Sequence, residues 1–262
     1  ASDVYKRQLL SIIRQNQKLA AKRNPAFDRN RFAKFLIYFM VAFWAAYLIF
    51  IGVMLSFAFE DIFPSMEPYH IMNQGLIYLL ILDFLLRFML QPAMSQEIKP
   101  YLLMPVKKNK LVDTLLLQSG ISSYNFFWFF LIIPFALLTI IRFYGLTGIL
   151  CYLCGIWLLM VMNSYWYLIC KTLLNEKLLY ILLPIGVYGL LAGTEFIPEG
   201  NPVSTFMMNL GEGFIEGNIL AFLGVIAAIL LLLLVNRKLQ LHFIYNEIAK
   251  VEDTKMKHVS EY

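Results

Sequence analysis

The chain has 262 residues, of which 60% are hydrophobic, 16% aromatic and only 15% charged, against about 45–50% apolar and about 25% charged in ordinary soluble domains. The apolar residues sit in long uninterrupted blocks, which excludes a soluble enzyme and makes the bilayer the relevant solvent. The net charge of +5 comes from basic residues spread between those blocks, a pattern that fits a membrane surface and not a nucleic-acid-binding domain.

No methionine precedes Met40. Asp3 to Gln8 match, codon for codon, the translation of GAT GTG TAT AAG AGA CAG, which resembles a transposase end used in preparing sequencing libraries. Residues 1–8 are therefore expected to be a non-native scar, and 9–262 a single membrane domain truncated at both ends. In the leader that follows, Leu9, Leu10, Ile12, Ile13, Leu19 and Ala20 are interspersed with Arg14, Lys18, Lys22 and Arg23. This spacing predicts an amphipathic helix lying in the membrane interface, the plainer reading being a basic flank that enforces topology.

Six transmembrane helices are expected. The first, Phe35 to Phe59, runs 25 residues without a charge, which at ~1.5 Å per residue exceeds the roughly 30 Å hydrocarbon core. The second, Ile71 to Leu90, is apolar except for Asp83 and Arg87 and stops before Pro92. Leu115 to Ile141 and Phe143 to Cys170 form the third and fourth, separated by Arg142 and the turn-prone Tyr144-Gly145. Pro134 is expected to kink the third. The fifth, Leu178 to Thr194, is short and carries Pro184, Gly186, Gly189 and Gly193; the sixth is Ile219 to Val235. None alternates apolar with polar residues as a membrane barrel does, so the fold class is all-α: a polytopic helical membrane protein.

Orientation follows from the basic residues. Nine lie before the first span, four between spans two and three, two between four and five, and five in the tail, whereas the opposite loops carry only Arg142. Both termini of this piece are thus expected in the cytoplasm.

Three features stand out as candidate sites. Between spans two and three, Lys99, Pro100, Tyr101, Leu102, Leu103, Met104, Pro105 and Val106 precede a cationic cluster of Lys107, Lys108 and Lys110. Apolar residues presented between two prolines on a cytoplasmic loop suggest a partner surface, or else a segment dipping among lipid headgroups. Asp83 and Arg87, one helical turn apart, form a candidate intramembrane ion pair, either structural or involved in gating. Gly189 and Gly193 permit close helix packing, and Gln118, Ser122, Ser123, Asn125, Asn163 and Ser164 are suited to interhelical hydrogen bonds.

Catalytic, cofactor-binding and metal-binding residues are not expected. No Gly-x-x-x-x-Gly-Lys-Ser/Thr loop is present to cradle ATP. Cys151-x-x-Cys154 has no second pair, and His70, His242 and His258 are scattered.

The run from Lys99 to Val112 between a second and third span resembles the cytoplasmic loop of type-2 ATP-binding-cassette export permeases. More closely, it is similar to an uncharacterised bacterial multi-pass family, a domain of unknown function, related to those permeases. The leader, the six spans and the tail from Asn236-Arg237-Lys238 to Tyr245-Asn246-Glu247 follow the same plan. The resemblance implies a permease subunit in the bacterial inner membrane whose loop couples to a separate ATPase; ATP would be bound by that partner. It also implies a second permease half, either a second copy or a downstream part of the same protein. The rival expectation is a non-transporting scaffold that recruits a soluble partner through the same loop. Against the exporter plan, the Gly-rich stretch Glu195 to Asn218 promises little of the small outer helices that exporters carry there.

Overall fold

The computed structural model describes residues 31–91, 107–194 and 201–260, with Ser11, Gln15 and Leu19 of the leader. The rest of the leader and residues 92–106 lie outside the described residues, and so does 195–200. Among the described residues all regular structure is helical. In chain order the α-helices are α1 (Arg31–Ile62), α2 (Pro68–Gln74), α3 (Leu76–Leu90), α4 (Lys108–Gly120), α5 (Phe129–Leu138), α6 (Ile141–Glu176), α7 (Leu182–Gly193), α8 (Pro202–Ile215) and α9 (Ile219–Ser260). Short 3-10 turns, Ser123–Phe126 and Leu178–Ile181, precede α5 and α7.

The expectation of six spans is not met. Three helical stretches, Tyr38–Ile62, Ile141–Glu176 and Ile219–Ile244, are long and apolar enough to cross a membrane. The count rises to five if α2 with α3, and α4 with α5, are each taken as one bent span. The fifth predicted segment fails on length: its regular helix holds 12 residues, below the roughly 17 a crossing needs. The third predicted span is broken, though not at Pro134. α4 ends at Gly120, the 3-10 turn Ser123–Phe126 intervenes, and Pro134 lies inside α5.

Capping chemistry sets several boundaries. Pro68 opens α2, where its missing N–H costs nothing. Asn201 accepts the Val203 amide (3.1 Å) and Pro202 occupies the first turn, which starts α8. That helix fills a region expected to be only a Gly-rich loop. It ends in a Schellman turn: Gly217 has φ +73°, its amide donates to Phe214 O, and Asn218 N donates to Gly213 O at 2.7 Å. Asn218 then starts α9 by accepting the Leu220 amide. Gly145, at φ 62°, puts a non-helical residue into the first turns of α6, at the Tyr144-Gly145 position where a turn was expected.

Two compact units result. The first comprises Ala1–Leu76, Ser122–Trp157 and Ser204–Phe222. Within it α1 packs along α5, with Gly52 against the Leu131 carbonyl and Phe59 edge-on to Phe135. The opposite face of α1 carries a ladder of exposed rings, Phe35, Phe39, Phe43 and Tyr47, a face suited to lipid. The second unit comprises Ile77–Ile121, Leu158–Val203 and Leu223–Tyr262. Its core is built on Leu80, Phe84, Leu111, Leu116, Tyr167 and Leu168.

A Cβ on Gly155 would overlap the buried Phe214 ring, whereas one on Gly186 meets nothing within 4 Å. Gly155→Ala should therefore lower stability by about 1–3 kcal/mol, while Gly186→Ala leaves it unchanged or slightly raised. Thermal unfolding of the two variants in detergent checks this contrast; equal midpoints would contradict the packing described.

Candidate functional site

In the second unit the site grows from the one helical turn that separates Asp83 from Arg87 on α3. Arg87 Nε donates to Asp83 Oδ2 at 2.7 Å, and the two side chains are 1% and 4% exposed. A buried pair of this kind survives only if further hydrogen bonds offset its desolvation. Asn163 of α6 provides one for the carboxylate, donating from Nδ2 to the same oxygen (2.7 Å) and to the Leu80 carbonyl (2.9 Å), while Nη1 and Nη2 of Arg87 are buried without a hydrogen-bond partner among the described residues. Its Oδ1 in turn accepts the Tyr188 hydroxyl of α7 at 2.8 Å. Two helices thus meet at the carboxylate, and a third joins them through Asn163.

Asn163 is the first of three α6 residues at helical spacing that attend to α3. Tyr167 donates its hydroxyl to Gln91 O at 2.6 Å. Lys171 donates to Phe88 O at 2.9 Å, with its ammonium 4.3 Å from the centre of the Phe88 ring. The last carbonyls of a helix lack partners within it, and a cation there also meets the negative end of the helix dipole. These two side chains therefore secure the end of α3, immediately before residues 92–106.

The other flank of that segment is held as well. α4 starts at Lys108, and one turn on Arg237 of α9 clasps Asp113 through Nε (2.6 Å) and Nη2 (3.4 Å). The Tyr165 hydroxyl donates to Leu116 O (3.0 Å), and Asn236 donates to Tyr165 O (2.8 Å). Gln240 donates to Thr172 Oγ1 at 2.6 Å, and the Ser119 and Ser164 hydroxyls are hydrogen-bonded to each other at 3.2 Å. Both helices that flank the predicted coupling loop are thus tied to α6, α3 through Tyr167 and Lys171 and α4 through Tyr165 and Ser164, and α4 is tied to α9 as well through Arg237.

Of the predicted loop residues, Lys99 to Val106 lie outside the described residues. Lys107 is exposed, while Lys108 and Lys110 are half-buried in the first turn of α4. A Cβ at Gly189 or Gly193 meets nothing within 4 Å, so these glycines face open space in the chain. Sequence reasoning missed Tyr167, Lys171, Tyr188 and the Asp113–Arg237 pair. Only the spacing of Asn163, Tyr167 and Lys171 was there to be read.

The first unit holds a second polar cluster. Gly211 of α8 lies so close to the Asn73 side chain of α2 that no Cβ fits between them. Fully buried Tyr152 donates its hydroxyl to Asn73 Oδ1 at 2.9 Å. Alongside, His70 Nδ1 pairs closely with Glu212 Oε1, and Gln74 Nε2 reaches Met208 Sδ at 3.3 Å. Among the described residues no three His, Cys, Asp or Glu side chains are grouped to hold a metal ion.

The family described as "Family of unknown function (DUF5687)" matches residues 17–262. The chain belongs to the DUF5687 family. No curated protein and no solved structure matches it. The DUF5687 match spans both polar clusters and the loop between α3 and α4.

Removing one member of a buried ion pair leaves an uncompensated charge, at a cost of about 3–5 kcal/mol, whereas replacing both by apolar groups can be nearly neutral. Asp83→Ala should therefore sharply reduce the yield and unfolding midpoint of the DUF5687 protein in detergent. The double variant Asp83→Leu, Arg87→Met should recover much of the loss. A single variant as stable as the double one would mean that the pair does not hold α3 in place.

Proposed function

We propose that this chain is the transmembrane subunit of an ATP-binding-cassette-type exporter in the bacterial inner membrane. In this reading a partner ATPase binds and hydrolyses ATP, and its movement enters through the segment from Lys99 to Lys110. The observation that carries the reading is the bracing on either side of that segment. The end of α3 is fastened by Tyr167 and Lys171, and the body of α4 by Arg237 at Asp113 and by Tyr165 at Leu116. A loop that only reverses the chain needs no such bracing, whereas a loop that receives force must pass it to helices that move as one piece. In this reading the basic residues before α1 and at the start of α4 support a cytoplasmic face for the loop, where an ATPase would be met. Membrane lipid covers the apolar faces of α1 and α9. A second permease half, a further copy or a downstream portion of the protein, completes the passage.

A scaffold reading is favoured by one particular: Asn163, Tyr167, Lys171 and Tyr188 are all spent on helix-to-helix hydrogen bonds. In that case the same braced loop holds a soluble partner without transport.

Affinity copurification from native membranes separates the two. Wild type should bring down an ATPase with a phosphate-binding Gly-rich loop, and Leu102→Asp, Leu103→Asp should reduce its recovery by about tenfold or more, the effect of losing an interface hot spot. Failure of wild type to retain any such ATPase, under conditions that preserve other complexes of this class, would defeat the exporter reading.

A further inference from the structure

Two pairs of residues in the first unit sit four apart in sequence, and three of the four, Met66, His70 and Met208, line one cleft. Met66 and His70 span the start of α2, and Met208 and Glu212 lie one turn apart on α8. The cleft holds about 360 Å³ and is lined by Pro64, Ser65, Met66, Glu67, His70 and Met208. Two thioether sulfurs and an imidazole therefore face the same space. That combination selects soft cations: thioethers are poor ligands for hard divalent ions but good ones for copper(I).

The surroundings prepare these donors. His70 Nδ1 is engaged by the Glu212 carboxylate, a contact that orients the imidazole and leaves Nε2 as the ring nitrogen outside it. A carboxylate behind a histidine is the usual support for a metal-ligating imidazole. Met208 is held through its own sulfur by Gln74 Nε2. Gly211 lets α2 and α8 approach closely enough to bring the pairs together, and Tyr152 anchors Asn73 beneath them. Glu67, on the cleft wall, supplies negative charge for a cation. The lack of a three-residue His, Cys, Asp or Glu group among the described residues removes the donor set that zinc or another harder divalent ion needs.

We propose that Met66, His70 and Met208 form a binding site for a soft monovalent cation, copper(I) or its analogue silver(I), with Glu212 as the residue that positions His70. The proposal does not rest on the exporter reading. It is tested on the full-length protein purified in detergent, titrated with copper(I) against a coloured copper(I) chelator. Wild type should withdraw a single equivalent of copper. Met66→Leu, Met208→Leu and Glu212→Gln should each weaken binding by about tenfold or more. X-ray absorption should find sulfur neighbours around copper in wild type and lose them in the Met66→Leu, Met208→Leu double variant. Leucine nearly matches methionine in volume, and Met66 is exposed, so Met66→Leu keeps the test open should Met208→Leu fail to fold. Wild type that leaves all copper with the chelator would overturn the proposal. So would a folded double variant, or Met66→Leu alone, that binds copper as wild type does, the result expected if Cys151, Cys154 or Cys170 held the metal.

Discussion

A carboxylate and a guanidinium placed one turn apart in an otherwise apolar helix create a desolvation cost that the second unit meets on the carboxylate side. Asp83 and Arg87 neutralise each other, but Asp83 is held in place by donors it did not bring: the amide of Asn163, itself oriented by Tyr188. Because Asn163 comes from α6 and Tyr188 from α7, the pair fixes the register of three helices at once. Lipid offers no competing hydrogen bonds, so a slip of α6 by one residue would strand the amide and the carboxylate together. Apolar contacts such as Leu80 and Phe84 tolerate sliding far better. The ion pair therefore supplies specificity to a surface that hydrophobicity alone would leave loosely defined.

The same logic extends down α6. Tyr167 and Lys171 continue the stripe begun by Asn163 and close the carbonyls at the end of α3. Asn236, Arg237 and Gln240 of α9 do comparable service toward Tyr165, Asp113 and Thr172. The end of α3 and the body of α4 are therefore held by hydrogen bonds and not by apolar contact alone. In the first unit the equivalent economy is steric: absent side chains at Gly52, Gly155 and Gly211 let helices close on a backbone, a ring and an amide. That closeness makes the Met66, His70 and Met208 cleft a shaped surface.

Membership of the DUF5687 family joins these observations to a group of chains without assigning them an activity. The chain's two polar clusters are the helix-flanking network around Asp83 and Arg87 in one unit and the His70 and Asn73 contacts with α8 in the other. The two lie in separate units and call for separate accounts.

Much of the architecture was legible in the sequence, because a helix in lipid satisfies its own backbone and needs only a long apolar run to declare itself. The all-helical fold, the long helices at α1, α6 and α9, and the turn at Gly145 follow from composition and local backbone chemistry. Breaks were less legible. Pro134 looked like the kink, yet the interruption falls at Ile121 to Trp128, where no proline stands, and the helix Pro202–Ile215 was hidden by its glycines. The sites were legible only where partners share a helix, as Asp83 and Arg87 do. His70 and Glu212 are 142 residues apart, and Arg237 and Asp113 are 124. No local pattern announces such pairs, since each residue alone is an ordinary polar group on a helix. Sequence determined which segments are helical because that depends on each segment's own residues. Only the tertiary structure decided which polar groups meet, because that depends on how separate helices pack.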